Sequence, residues 1–184
     1  MTTEEALDFL RQHQPMPDDE EAAEEVAQEI IDGYENARKH FLDHPDVRCV
    51  PLFLNSFGDG TGWGIYQMVD EVLWQFSEDE VVPHLLQALA SPLVGVRYWN
   101  TQIAMDFPSP RLIPTLTHLV DDPDRGVRCF AIFALSLIPS SEVLPPLQHA
   151  LATEKDEKER TTIRALLKNK KREMQVLSPE DDTS

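Results

Sequence analysis

Apolar residues recur along most of the chain at spacings of three and four, the pattern of helices with one buried side. In Val127-Arg128-Cys129-Phe130-Ala131-Ile132-Phe133-Ala134-Leu135, for example, positions 127, 131, 134, 135 and 138 fall on one stripe. Three segments, Val81–Leu89, Leu112–Val120 and Val143–Leu151, align without gaps. Their prolines Pro83, Pro114 and Pro145 stand 31 residues apart (114 − 83 and 145 − 114). Val50-Pro51-Leu52-Phe53-Leu54 is an earlier copy. Gly64, Gly95 and Gly126 share the period, each before an apolar residue: Ile65, Val96 and Val127. One unit is therefore expected to place its proline in the first turn of a helix A, where the missing N–H costs nothing. A short polar loop ending in glycine follows, then a helix B. So short a unit cannot bury its own apolar side and has to stack on its neighbours.

This pattern resembles the HEAT repeat family, in its short bacterial form, over about residues 46–172. The residues that carry the resemblance are the helix A prolines, the loop Asp122-Pro123-Asp124, and the pairs Val96-Arg97 and Val127-Arg128 that open helix B. The resemblance implies an all-α fold, a short α-solenoid of about four stacked two-helix repeats. It also implies that an Asp before the Val-Arg pair bonds an Arg of a neighbouring repeat; Asp122 and Arg128 match that arrangement. Ser91 stands where the next repeat has Asp122, and Tyr66 where the others have Arg, so the first repeat is divergent.

The flanks differ. Residues 1–45 carry 13 acidic and three basic residues. Thr2 and Glu5 read as a capping box for a helix to about His13. Pro15-Met16-Pro17 breaks it, and a second helix is expected from Asp18 to Asp43, buried along Val26, Ile30, Tyr34, Ala37 and Phe41. Together they form an N-terminal helical cap on a single domain, residues 1–184. Residues 173–184 are expected to be a disordered acidic tail.

The net charge of -17 opposes phosphate backbones and anionic lipid and favours capture of basic proteins. The expected partner is therefore another protein, basic in character, with no nucleic acid and no membrane. Cys49 and Cys129 make neither a disulfide framework nor zinc-ligand spacing. The start MTTEEALDFLRQH has no signal-peptide character and no window is apolar enough for a membrane span, so a cytoplasmic location is expected.

In HEAT-like stacks helix B lines the concave face, and the period aligns four rows there: Gln67, Tyr98, Cys129; Asp70, Thr101, Ile132; Glu71, Gln102, Phe133; Trp74, Met105, Ser136. Aromatic anchors beside acids suit protein binding. The candidate partner-binding residues are Trp63, Gln67, Asp70, Glu71, Trp74, Tyr98, Gln102, Met105 and Phe133. Trp63 lies in the glycine-rich loop Phe57–Gly64, which lacks the lysine and hydroxyl of a phosphate loop and reads as a mobile or flexible turn. Asn100 falls at a small apolar position and is expected to tie helices together. His40 and His44 have the spacing of metal ligands, but no third ligand is evident. His118 and His149 share one outer position. No metal, cofactor or catalytic residue is expected. The functional expectation is a non-catalytic binding module, most specifically an immunity or inhibitor protein against a basic toxin or nuclease. The alternatives are an adaptor or secretion chaperone, and a HEAT-like lyase or other enzyme.

Overall fold

The computed structural model describes residues 1–17 and 24–177. Among them are ten α-helices and no strand. The chain divides into two compact units, 1–107 and 108–184, at a boundary between the second and third repeats.

The first unit opens with α1 (Thr3–Gln12) and α2 (Glu24–Asp43). The expected capping box is present: Thr2 N donates to Glu5 Oε2 (2.7 Å) and Glu5 N to Thr2 Oγ1 (3.3 Å). Along α2, Ile30, Tyr34, Ala37 and Phe41 are buried as the periodicity requires; Asp18–Ala23 and the side chain of Val26 lie outside the described residues. Helix α3 (Cys49–Ser56) packs on α1 and on α5 (Glu78–Leu89), which pairs with α6 (Val94–Ile103). The core gathers Leu7, Leu10, Phe53, Leu54, Leu85 and Leu89, each fully buried and each worth about 1.5–3 kcal/mol of burial.

The second unit holds the pair α7 (Ile113–Leu119) and α8 (Arg125–Leu137), then α9 (Leu144–Thr153) and α10 (Glu157–Leu177). Helix α8 packs on α7, α9 and α10. Because α10 runs to Leu177, residues 173–177 are helical rather than a disordered tail; residues 178–184 lie outside the described residues.

The placement of the repeat's punctuation differs from the expectation in two respects. Pro114 and Pro145 stand in the first turn of α7 and α9, as expected, whereas Pro83 does not. Pro83 sits inside α5, and Pro114 and Pro145 follow 3₁₀ turns, Pro110–Leu112 and Ser141–Val143. A serine starts each A helix one turn earlier. Ser77 N and Oγ both bond Glu80 Oε2 (2.9 and 2.7 Å), Ser109 Oγ accepts from Arg111 N (3.3 Å) and Ser140 Oγ from Glu142 N (3.2 Å). Gly95 and Gly126, in turn, lie in the first turn of helix B and not in the loop. Asp124 caps α8 by accepting from Val127 N (2.9 Å), which puts Gly126 inside the helix.

The largest departure is helix B of the first repeat. It breaks into a 3₁₀ turn (Gly62–Gly64), a second 3₁₀ turn (Tyr66–Met68) and the short α4 (Asp70–Leu73). Gly60, Gly62, Trp63 and Gly64 all have positive φ, so the backbone reverses instead of entering a helix.

Candidate protein-binding face

Arg97 and Arg128 occupy equivalent places in two repeats and make the same clasp. Nη1 of Arg97 donates to the carbonyls of Ser91 (2.9 Å) and Pro92 (3.0 Å), and Nη1 of Arg128 to those of Asp122 (2.8 Å) and Pro123 (3.0 Å). These bonds take main-chain oxygens, so the clasp forms whether Ser or Asp stands at that position. In the first repeat Tyr66 replaces the arginine, and its buried hydroxyl accepts from Gly58 N (2.9 Å). The divergent residue thus also ties its own loop.

That tie corrects the view of the glycine-rich loop as a flexible turn. Gly60 O also accepts from Trp99 Nε1 (3.2 Å), and Phe57, Tyr66 and Trp99 stack into one ring cluster. A side chain at Gly95 would run into the Gly58 carbonyl, so the loop lies directly on the first turn of α6. Trp63 is half-buried and holds φ 51°.

Asn100 is a structural tie, as expected. It is fully buried, and Nδ2 donates to Leu54 O and Val96 O (2.7 Å each). His40 and His44 stack at 4.8 Å, with His40 Nε2 2.9 Å from Thr3 Oγ1. Among the described residues no group of three or more His, Cys, Asp or Glu could hold a metal. His149 Nε2 lies 2.9 Å from both Asp121 oxygens on an exposed surface. Burial pushes the Cys49 thiol up to about 12 and raises that of Cys129, which leaves both poor nucleophiles.

None of the nine candidate binding residues is fully buried, whereas the row mates Thr101 and Ile132 are core residues. Trp74 is the most prominent, at 59% exposure. It follows α4, where Trp74 N bonds Asp70 O (2.9 Å), and its side chain lies beside Asp106. Asp70 is half-buried, and desolvation raises its carboxyl above the ordinary range, with Glu71 adding to the shift. Desolvation likewise raises Asp106, and the nearby Asp70 charge raises it further. The structure therefore gathers Asp70, Trp74 and Asp106 at one place in the first unit.

The other candidates are placed differently. Gln67 is exposed, and Met105 and Gln102 are half-buried, with Gln102 Nε2 enclosed. Tyr98 is half-buried, its ring edge-on to Trp99 at 5.4 Å. Phe133 lies in the second unit. There it lines a pocket of about 110 Å³ with Cys129, Ile132, Ile163 and Leu166. Glu71 is not an unengaged steering acid. Its Oε2 takes Nη1 of the buried Arg38 (2.8 Å), which also bonds Glu35 (2.7 and 2.9 Å).

Two buried basic residues were not evident from the sequence. Arg38 looked like one more surface base on an acidic segment, and only its i,i+3 partner Glu35 hinted otherwise. Lys170 belongs to the run Lys168–Arg172, yet it is 2% exposed, and Nζ donates to Ile138 O (3.0 Å) at the end of α8 while pairing with Glu173 (2.8 Å).

Residues 82–168 match the family model for HEAT repeats. No curated protein matches the chain. Period, paired helices and family match agree: residues 82–168 carry HEAT-like repeats.

Proposed function

We propose that the chain is a non-catalytic protein-binding module whose Trp74 face docks a basic protein, and that its specific role is to inhibit that partner in the manner of an immunity protein against a toxin or nuclease. HEAT repeats are in general protein-interaction modules, and the observation that carries the reading is the Trp74 indole, exposed beside Asp70 and Asp106. A large aromatic ring left in solvent loses hydrophobic stabilisation in the unbound protein and regains it when a partner covers it. The net charge of -17 steers a basic partner toward any such face and speeds its capture. The main-chain clasps of Arg97 and Arg128 each brace the loop between the two helices of their own repeat, which suits recognition by a preformed surface.

The test is affinity capture with the wild-type chain and Trp74→Ala as paired baits in extracts of the source cells. A basic protein enriched by the wild type and lost with Trp74→Ala is expected, and adding the chain should abolish that protein's toxic or nuclease activity at one-to-one stoichiometry. Capture of the same partner by both baits would reject the docking face. Glu71→Lys is the wrong variant, since it sets a second cation against the buried Arg38.

A further inference from the structure

Helix α10 carries seven basic and three acidic residues, and the three acids are all engaged: Glu157 with Arg160 (3.3 Å), Glu173 with Lys170 (2.8 Å), and Glu159 with Arg125. Arg164, Lys168, Lys171 and Arg172 are exposed, and none of them has an ion pair among the described residues. In the first unit, by contrast, Arg11, Arg38, Lys39 and Arg48 each hold a carboxylate. Solubility asks only that an outer face be polar. It does not require four bases to stay unpaired in a chain where acids outnumber bases 33 to 16.

These bases form a row. Ile163, Leu167 and Lys170 are the buried side of α10, and Arg160, Arg164, Lys168 and Lys171 run beside it at steps of four, four and three. The row spans about 16 Å at the helical rise per residue. Its complement is in the same sequence. Residues 1–107 hold 21 acids and five bases. On α2, buried along Ile30, Tyr34, Ala37 and Phe41, positions 25, 29 and 32 fall on the opposite side, and Glu29 and Asp32 are exposed. With Glu21, which lies outside the described residues, they make the row Glu21, Glu25, Glu29, Asp32, again at steps of four, four and three.

We propose that the basic row of α10 docks on the acidic row of α2 in a second copy of this chain, base to acid along matched steps. Because the two faces differ, copies either exchange them reciprocally or add head to tail. Single exposed ion pairs are weak, so the contact depends on the whole row. Paired charges meet well inside the screening length of ~8 Å at physiological salt, whereas the repulsion between two copies of net charge -17 acts mostly over longer distances and is screened.

Sedimentation equilibrium of the full chain reads the association. At physiological salt the mass is expected to climb above that of the monomer with concentration, and at about 1 M salt to return to it. Arg164→Glu with Lys168→Glu, and separately Glu29→Lys with Asp32→Lys, should each weaken association about tenfold or more, with helicity by circular dichroism unchanged. Mixing the two variants sets acids on one α10 against bases on the other α2 and should restore a one-to-one complex, which a change in net charge alone does not do. A monomer at every concentration, undiminished association in either variant, or no complex in the mixture would overturn the proposal. So would a monomer that binds duplex DNA and loses it in Arg164→Glu with Lys168→Glu, because the row would then belong to a phosphate backbone.

Discussion

Asn100 shows what a single polar side chain does in this core. Its amide joins α3 to α6 by donating to Leu54 O and Val96 O. Asn100→Ala leaves the Leu54 carbonyl without this donor in a dry core, so a loss of about 2–3 kcal/mol in urea unfolding is expected. The oddity of an Asn at a small apolar position was legible in the sequence, because the repeat aligns it with Val69 and Ala131. Arg38 was not legible, because no repeat copy exists against which to compare it and its second partner, Glu71, lies 33 residues away. Asp106 was missed for a related reason. It follows α6, outside the rows that the period aligns, and only folding brings it to Trp74. Its raised carboxyl has a consequence for stability. The folded chain holds this proton more tightly than the unfolded chain does, so the group costs stability as pH rises through the window between the two values. Asp106→Asn is therefore expected to raise the Tm by about 1 °C at pH 7, after allowance for solvent screening, with the gain vanishing below the ordinary carboxylate range. A thermal melt at pH 7 and at pH 3 checks both halves.

The repeat elements were legible to the extent that they are periodic. Proline and glycine at 31-residue intervals announced paired helices, and α5 through α9 follow. What the period did not disclose was the start of each A helix. The prolines drew attention to themselves, while the capping serines Ser77, Ser109 and Ser140 do the initiating one turn earlier. Helix B of the first repeat failed for a physical reason visible only in part. The glycines between 58 and 64 were evident, but the positive φ of Trp63 is imposed by the loop's ties to Tyr66 and Trp99. A 3₁₀ step turns the chain by about 120° where an α step turns it by about 100°. Rows counted through 65–69 as if helical therefore drift in angle. The same packing predicts that Gly95→Ala destabilises by about 1–3 kcal/mol, because the new methyl meets the Gly58 carbonyl rather than a yielding side chain. Chemical denaturation measures it, and crystallography should show loop 57–64 displaced. Helix α10 has its own anchor. Lys170→Met keeps the buried stem and deletes the donor to Ile138 O, so faster amide exchange along α10 is expected with little change in α7.

At the scale of the whole molecule, charge dominates. No helix among the described residues is long and apolar enough to cross a membrane. Acids outnumber bases 33 to 16, yet those acids are not equivalent. Glu5, Glu35, Asp46, Glu80 and Glu154 are held below the ordinary carboxylate range by capping, arginine or backbone hydrogen bonds. Each contributes stability that is present above its unfolded value and lost as pH falls through its folded value. They outnumber the two raised groups, Asp70 and Asp106, so the chain is expected to lose stability as pH drops below about 4, and an acid titration followed by circular dichroism shows it. The structural acids are satisfied within the fold, whereas desolvation raises Asp70 and Asp106, and the proposed docking face gives these two a partner outside the chain. Hydrogen exchange of the chain with and without its captured partner tests that most directly. Protection on binding is predicted to concentrate at residues 66–76 and 98–106; protection confined to α1 and α2, or to the second unit, would contradict it.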